Sequence, residues 1–509
     1  MTAILLDGER LTLEELERVA RHGAPVGLEP AARRRVQASR RVIEEAVAAE
    51  RAIYGVSTGF GPLSDVFVGA ADRAALQRNL LRSHAAGVGE PIDEAETRAT
   101  TLLRANVLAK GCSGVRPEVV ELLCDLLNRG VHPVIPARGS VGASGDLAPL
   151  AHLALVLIGE GEARYQGARL PGGEALRRAG LAPISLKAKE GLALINGTCG
   201  LAGVGALALL RAERLVRLAD VSAAMTLEAL RGSFVPFDAR LQAVRPHPGQ
   251  VATAQNLRTL LQASEVNVSH KDCGKIQDAY SLRCIPQVHG GVRDALAAAR
   301  ATLQCELNAA TDNPLVFAES GDILSGGNFH GHPVALALDF LALAVAGLCG
   351  FAERRIERLV NPLFSELPPF LVRASGLHSG FMVAQIAAAS LVSEAKVLAS
   401  PASVDSIPTS GGKEDFVSMG WLAARKAACI VDLFAAILGW EFLCAAQGLD
   451  FLRPLRPGRG AAAAHAAIRA RVPHLDEDRV LRSDLDRVLP LLDDGSLLAA
   501  VEAAVGPLG

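Results

Sequence analysis

Between residues 201 and 448 the chain carries five long stretches in which apolar residues recur every three or four positions: 201–232, 286–310, 332–360, 379–400 and 417–448. That period is the signature of helices with a buried face, and these stretches are far longer than ordinary strands. The breaks between them are short and marked by Gly and Pro, as at Asn361-Pro362 and Pro368-Pro369. The pattern predicts a long helical bundle. Half of the residues are hydrophobic but only 4% are aromatic, so the core must be made mainly of Ala, Leu and Val. Small side chains let helices pack closely, which reinforces a mainly α fold.

The first 200 residues are less regular. Residues 2–11 read as a small hairpin turning at Asp7-Gly8, and Thr12-Leu13-Glu14-Glu15 offers a capping box that opens a helix. Helical spacing continues at 31–53, from Ala70 to about Ser83, at 94–110 and at 116–129, and a second hairpin is expected at 163–170. Ile53 to Asp65 holds Tyr54-Gly55-Val56-Ser57-Thr58-Gly59-Phe60-Gly61-Pro62, too many breakers for a regular element. With 509 residues, no repeat and no low-complexity linker, two domains are expected: 1–200 and 201–509.

Composition narrows the function. A formal charge of -2 gives no electrostatic case for a nucleic-acid or anionic-membrane partner. Nine scattered cysteines without CxxC argue against a disulfide framework or structural zinc and for a reducing compartment. The stretch Met1-Thr2-Ala3-Ile4-Leu5-Leu6-Asp7-Gly8 lacks the basic start and long apolar run of a signal peptide. Gly191 to Leu210 is uncharged for 20 residues, yet five glycines and Asn196-Gly197-Thr198 make it a loop followed by a core helix rather than a membrane span. A cytoplasmic protein is expected.

The densest concentration of chemistry lies at Val141-Gly142-Ala143-Ser144-Gly145-Asp146-Leu147-Ala148-Pro149-Leu150. Small residues form a tight turn that feeds a helix, with Asp146 as the expected N-cap and Pro149 in the first turn. The turn is neither the GxSxG nucleophile elbow nor a phosphate loop. Other motifs are weaker. Ser410-Gly411-Gly412-Lys413 is formally SxxK, but no Lys-Thr-Gly accompanies it. His330 and His332 lack a third metal ligand in a recognisable pattern, and the glycines at 200, 203 and 205 suit helix packing better than a dinucleotide.

Ala-Ser-Gly followed by Asp-Leu-Ala-Pro-Leu-Ala-His resembles the aromatic amino-acid ammonia-lyases, and in particular their histidine branch. In that family the three residues cyclise into 4-methylidene-imidazol-5-one, an electrophile made from the backbone. The resemblance implies that Ala143, Ser144 and Gly145 are its source and that neither metal nor nucleotide is needed. It extends along most of the chain. Tyr54, in Tyr-Gly-x-x-Thr-Gly-Phe-Gly, matches the family's proton-abstracting Tyr, and Tyr280, in Gln-Asp-x-Tyr-Ser-x-Arg, matches a residue supporting charge at the reacting centre. Arg283 and Gln277 in the same motif match carboxylate and polar contacts, and Asn196 matches an Asn beside the ring and the carboxylate. Phe329 matches an aromatic that packs over the ring, while His84 and Glu414 match residues that contact the side chain in histidine-specific members.

The implied fold is ammonia-lyase/fumarase-like, an N-terminal domain bearing the prosthetic loop plus a central bundle. The implied assembly is a homotetramer in which Tyr54 acts on a neighbour's ring. The implied reaction is deamination of L-histidine to trans-urocanate and ammonia, opening histidine degradation. Three positions depart from the family pattern: Cys199 for Gln, Lys413 for Gln beside Glu414, and Phe416 for His. Three alternatives therefore stay open: a tyrosine or phenylalanine ammonia-lyase, a 2,3-aminomutase, and an inactive helical scaffold.

Overall fold

The computed structural model describes residues 2–271 and 273–509. It is mainly α, with a few two- and three-stranded sheets of short strands. By contacts the chain divides into two units, each assembled from three segments. The first comprises Met1–Ala208, Ala299–Asp339 and Pro401–Arg425; the second comprises Leu209–Ala298, Phe340–Ser400 and Lys426–Gly509. Two later segments thus join the N-terminal residues, which a single division near residue 200 does not describe.

In the first unit, Thr12 caps the helix Leu13–His22 through the expected box: its hydroxyl accepts from the Glu15 N–H and the Glu15 carboxylate accepts from the Thr12 N–H. The expected hairpin over 2–11 is not formed. Ile4–Leu6 pairs in parallel with Val26–Leu28, with the Leu13–His22 helix as the crossover. The turn at Asp7 does exist, since its carboxylate accepts from the backbone of Glu9 and Arg10, but it leads into the helix rather than a return strand. The second hairpin forms as expected, Glu162–Tyr165 against Ala168–Pro171. Helices Pro30–Ala48, Arg73–His84, Glu94–Ala109 and Pro117–Arg129 fall where the spacing places them.

The second unit takes most of the long helices. Cys199–Ala229, Ile285–Glu306, His332–Val360, Met382–Leu398 and Gly420–Asp450 reproduce the five periodic stretches to within a few residues. Leu215, Leu218, Ala219, Val221, Ala223, Ala224 and Leu227 are fully buried, and so are the polar Asp220, Ser222 and Thr226, so that from 218 to 227 the helix is covered on every side. His332–Val360 and Gly420–Asp450 are long and apolar enough to cross a membrane, but 56% and 72% of their apolar windows are buried inside the protein. That burial is what core helices show.

Candidate active site

The turn at 142–146 is held from several sides. Gly197 N–H donates to the Ser144 carbonyl at 3.1 Å, and Asp146 N–H donates to the Gly197 carbonyl at 2.7 Å. Ser418 Oγ donates to the Gly142 carbonyl, and Met419 N–H to the Val141 carbonyl. Gly145 has φ +74°, and a Cβ there would lie 2.1 Å from the Gly197 carbonyl oxygen, so only glycine fits. Helix Leu147–Leu157 follows with Pro149 in its first turn and Asp146 at the N-cap position as expected, its carbonyl accepting the Leu150 N–H, but the Asp146 side chain makes no cap hydrogen bond. Its carboxylate turns inward and accepts the Leu201 N–H at 2.8 Å. Burial pushes the Asp146 carboxyl up to about 7, against the lowering effect of the Leu201 and Gly200 N–H groups.

Ala143 and Ser144 face a cavity of about 780 Å³ in the first unit. Tyr54, His84, Asn196, Phe329 and Glu414 line the same cavity, so six separate stretches of sequence converge there. Tyr54 lies in the Gly-rich loop, where its hydroxyl oxygen accepts the Gly61 N–H at 3.1 Å and its ring meets Phe60 edge-on. It shares one chain's cavity with Ser144. Gln277, Tyr280 and Arg283 are not brought in. They belong to the second unit, where Tyr280 is 68% exposed and Arg283 stacks on its ring at 4.6 Å. The Arg283 Nε is buried with no hydrogen-bond partner.

Two acceptors, Glu414 and His84, line the cavity together with Lys413. Glu414 Oε2 accepts from Thr409 and Ser410, each at 2.7 Å, while Oε1 lies 3.4 Å from the Ser144 hydroxyl. Its partners are therefore hydroxyls rather than the adjacent Lys413. His84 Nδ1 lies 2.9 Å from the Leu80 carbonyl, which can only accept, so Nδ1 carries the proton and Nε2 is an acceptor in the neutral ring. Burial lowers the His84 pKa, with the Leu80 carbonyl and Glu414 opposing, which favours that neutral form. Phe416 stacks on His330 at 6.1 Å and meets His332 edge-on, so this departure builds an aromatic wall. Cys199 is buried and its thiol is pushed up to about 11 by burial, which makes it an inert core residue. Among the described residues, no cluster of three or more His, Cys, Asp or Glu side chains could hold a metal.

A second layer behind the turn was not singled out from the sequence. Lys189 is fully buried, with its Nζ 2.8 Å from Asp312 Oδ2. Burial pulls the Lys189 pKa down, and Asp312 opposes that. Arg104, also fully buried, donates to the Asn196 carbonyl. Five buried atoms nearby have no partner: Arg104 Nε and Nη2, Asp146 Oδ1, Asn196 Oδ1 and Thr311 Oγ1. Orphaned polar atoms beside a glycine-only turn are what a polar ring built from that turn would require, so the residues present fit such a group. The clue to this layer was the pair Lys189-Glu190 standing immediately before twenty uncharged residues.

Residues 11–470 match the family model for aromatic amino acid lyases. The chain belongs to the aromatic amino acid lyase family. It is accordingly a carbon–nitrogen lyase. Among family members, it is 58% identical to a histidine ammonia-lyase of Anaeromyxobacter sp. (strain K), covering 98% of this chain and all of that one. The crystal structure of histidine ammonia-lyase from Trypanosoma cruzi is 44% identical, with a TM-score of 0.92 over 99% of this chain and 96% of that one. Tyrosine aminomutase from Streptomyces globisporus superposes with a TM-score of 0.95 over the whole of both chains, at 41% identity.

Proposed function

We propose that this lyase deaminates L-histidine non-oxidatively to trans-urocanate and ammonia, the first step of histidine degradation. The observation that carries this reading is the convergence of Ser144, Tyr54, His84 and Glu414 on one cavity. Ala143, Ser144 and Gly145 would be the source of the methylidene-imidazolone, which supplies the electrophile that makes ammonia a leaving group. Tyr54 is then the base for the β-proton, its oxygen positioned by the Gly61 N–H.

Glu414 and His84 are two acceptors lining one cavity, and the imidazolium form of histidine is the aromatic amino-acid side chain that offers two N–H donors to them. A phenyl ring would leave both unpaired, which disfavours phenylalanine more strongly than a lost apolar contact would. Phe329 packs against the ring, and Asn196 completes the wall. Gln277, Tyr280 and Arg283 lie outside this chain's cavity, and in this reading neighbouring copies of a homotetramer supply them, Arg283 to grip the α-carboxylate, Tyr280 to support charge at the reacting centre and Gln277 as polar lining. Nine cysteines, none of them in a disulfide, agree with a reducing cytoplasmic setting. The structural likeness to an aminomutase supports one second reading, a 2,3-aminomutase.

The test is turnover of L-histidine, with L-tyrosine and L-phenylalanine alongside, following ammonia, the ultraviolet band of the conjugated acid and any β-amino acid. Equal amounts of urocanate and ammonia from histidine alone are expected. A β-amino acid formed without free ammonia would establish the mutase, and activity only on tyrosine or phenylalanine would reject the histidine assignment.

A further inference from the structure

Asn196 is 2% exposed, lines the cavity, and has both amide hydrogens engaged. Its Nδ2 donates to Asp312 Oδ1 at 3.2 Å and to the Asn313 carbonyl at 3.1 Å. Which end of an amide is nitrogen is decided by its partners, and here both partners are acceptors. Asp312 Oδ1 also accepts the Asn313 N–H at 2.7 Å, and Oδ2 accepts the Lys189 ammonium at 2.8 Å. Each carboxylate oxygen therefore faces a group that can only donate. The amide cannot reverse without setting Asn196 Oδ1 against two acceptors. Its oxygen is left buried with no partner.

The local backbone is committed to this arrangement. Lys189 stands at the N-cap of helix Glu190–Ile195 with φ +75°, a conformation unfavourable for any residue but glycine. Asn196 is the C-cap of the same helix, so two turns of chain carry the ammonium and the amide to one carboxylate. Lys189 and Asp312 are both fully exposed to nothing but protein, with no solvent-accessible side-chain surface. A buried pair of this kind is weak as a source of stability and strong as a means of specifying geometry.

We infer that Lys189 and Asp312 are positioning residues that lock the Asn196 amide with its oxygen free, so that Asn196 accepts a hydrogen bond from the substrate's amino group. This rests on the proposed amino-acid deamination. It also changes what Asn196 can do: with both amide hydrogens spent, it has none to donate to the α-carboxylate. Replacing Lys189 by Met leaves a buried carboxylate without a counter-charge, which takes up a proton. A protonated carboxyl can donate, the amide is then free to turn over, and the acceptor for the amino group is lost.

The test compares ligands with and without the amine, in a Ser144→Ala background so that nothing turns over. Calorimetry measures binding of L-histidine and of 3-(imidazol-4-yl)propanoate, which has the same ring and carboxylate but no amino group. Lys189→Met should weaken L-histidine about tenfold, the worth of one hydrogen bond to a charged donor, and leave the propanoate unchanged. Lys189→Arg, which retains the cation, should restore at least part of the lost affinity. Equal weakening of both ligands, or of neither, would overturn the inference. Should Lys189→Met fail to fold, Lys189→Met with Asp312→Leu removes both charges together and should give the same amine-selective loss. Phenylalanine and 3-phenylpropanoate form a parallel pair. Binding of that pair in place of the histidine pair would reject the substrate assignment while still testing the amide.

Discussion

The two units each contain a buried polar network, and the networks differ in completeness. In the second unit, His289 Nδ1 donates to Asp220 at 2.7 Å and its Nε2 accepts from Arg355. Arg355 grips Glu441 by two bonds, at 2.6 and 2.9 Å, and Ser222 and Thr226 donate to the remaining lone pairs. Asn256 and Arg293 complete Asp220. None of these groups has a buried nitrogen or oxygen left without a partner. Around the Ala143–Gly145 turn, by contrast, five buried atoms are orphaned. An unmet buried donor or acceptor costs about 1–3 kcal/mol, so the network around the turn forgoes stability that the closed network retains. A network closed on itself specifies packing; one left open is complementary to something else. The carboxyls register the same contrast. Burial pushes Asp146 up to about 7, whereas for Asp220 burial is outweighed by Arg293 and His289 and its pKa is lowered.

Breaking each network in turn should separate activity from stability. The largest effect is expected for Ser144→Ala: turnover should fall on the order of 10³-fold or more, because the reaction would lose most of its enzymatic acceleration. Ser144 is only partly buried, so the unfolding midpoint should stay nearly constant. Substantial residual turnover would exclude chemistry dependent on this serine.

Next comes Arg355→Met, which strands a buried Glu441 and should cost about 3–5 kcal/mol in urea unfolding, with turnover per folded molecule retained. Pairing it with Glu441→Leu should recover most of that loss. If the single variant is as stable as the parent, the closed network does not hold the bundle.

A smaller effect is expected from pH. Because the folded-state pKa of Asp146 is raised, its contribution to stability is complete below its ordinary value of 3.8 and is lost as pH rises through about 7. Asp146→Asn should therefore flatten that loss, with a relative gain of roughly 4 kcal/mol at about pH 8. Asp220 has the opposite sign. Its lowered pKa stabilises above 3.8 and is lost only as pH falls below that, so Asp220→Asn should not flatten the neutral window. Thermal melts across pH would check both slopes.

The smallest effect belongs to neither network. Thr12→Ala removes the capping box and should cost about 1 kcal/mol without altering turnover, which calibrates the other changes.

The long helices were legible because a 3.6-residue apolar period needs only local geometry to interpret, and the Thr12 box because its partners are three residues apart. The first strand was misread for the same reason. Asp7-Gly8 looks like a hairpin turn, but the partner strand, Val26–Leu28, lies beyond an intervening helix. Asp146 stands at the N-cap as expected, but its carboxylate engages Leu201, 55 residues away, instead of the helix N-terminus. Motif matching identified Tyr54, His84, Ala143, Ser144, Asn196, Phe329 and Glu414, and these share a cavity; it equally identified Gln277, Tyr280 and Arg283, which do not line it. A motif records which residues matter to a chemistry, not where the fold puts them.

By itself the sequence determined the helical architecture and the residue types available for lyase chemistry, since each depends on local backbone preferences or on side-chain identity. Only the tertiary structure decided which way the Asn196 amide faces, that His84 presents Nε2 as an acceptor, and that Lys189 meets Asp312 across 123 residues of chain. Hydrogen-bond direction and buried charge pairing depend on partners distant in sequence, and folding alone brings those partners together.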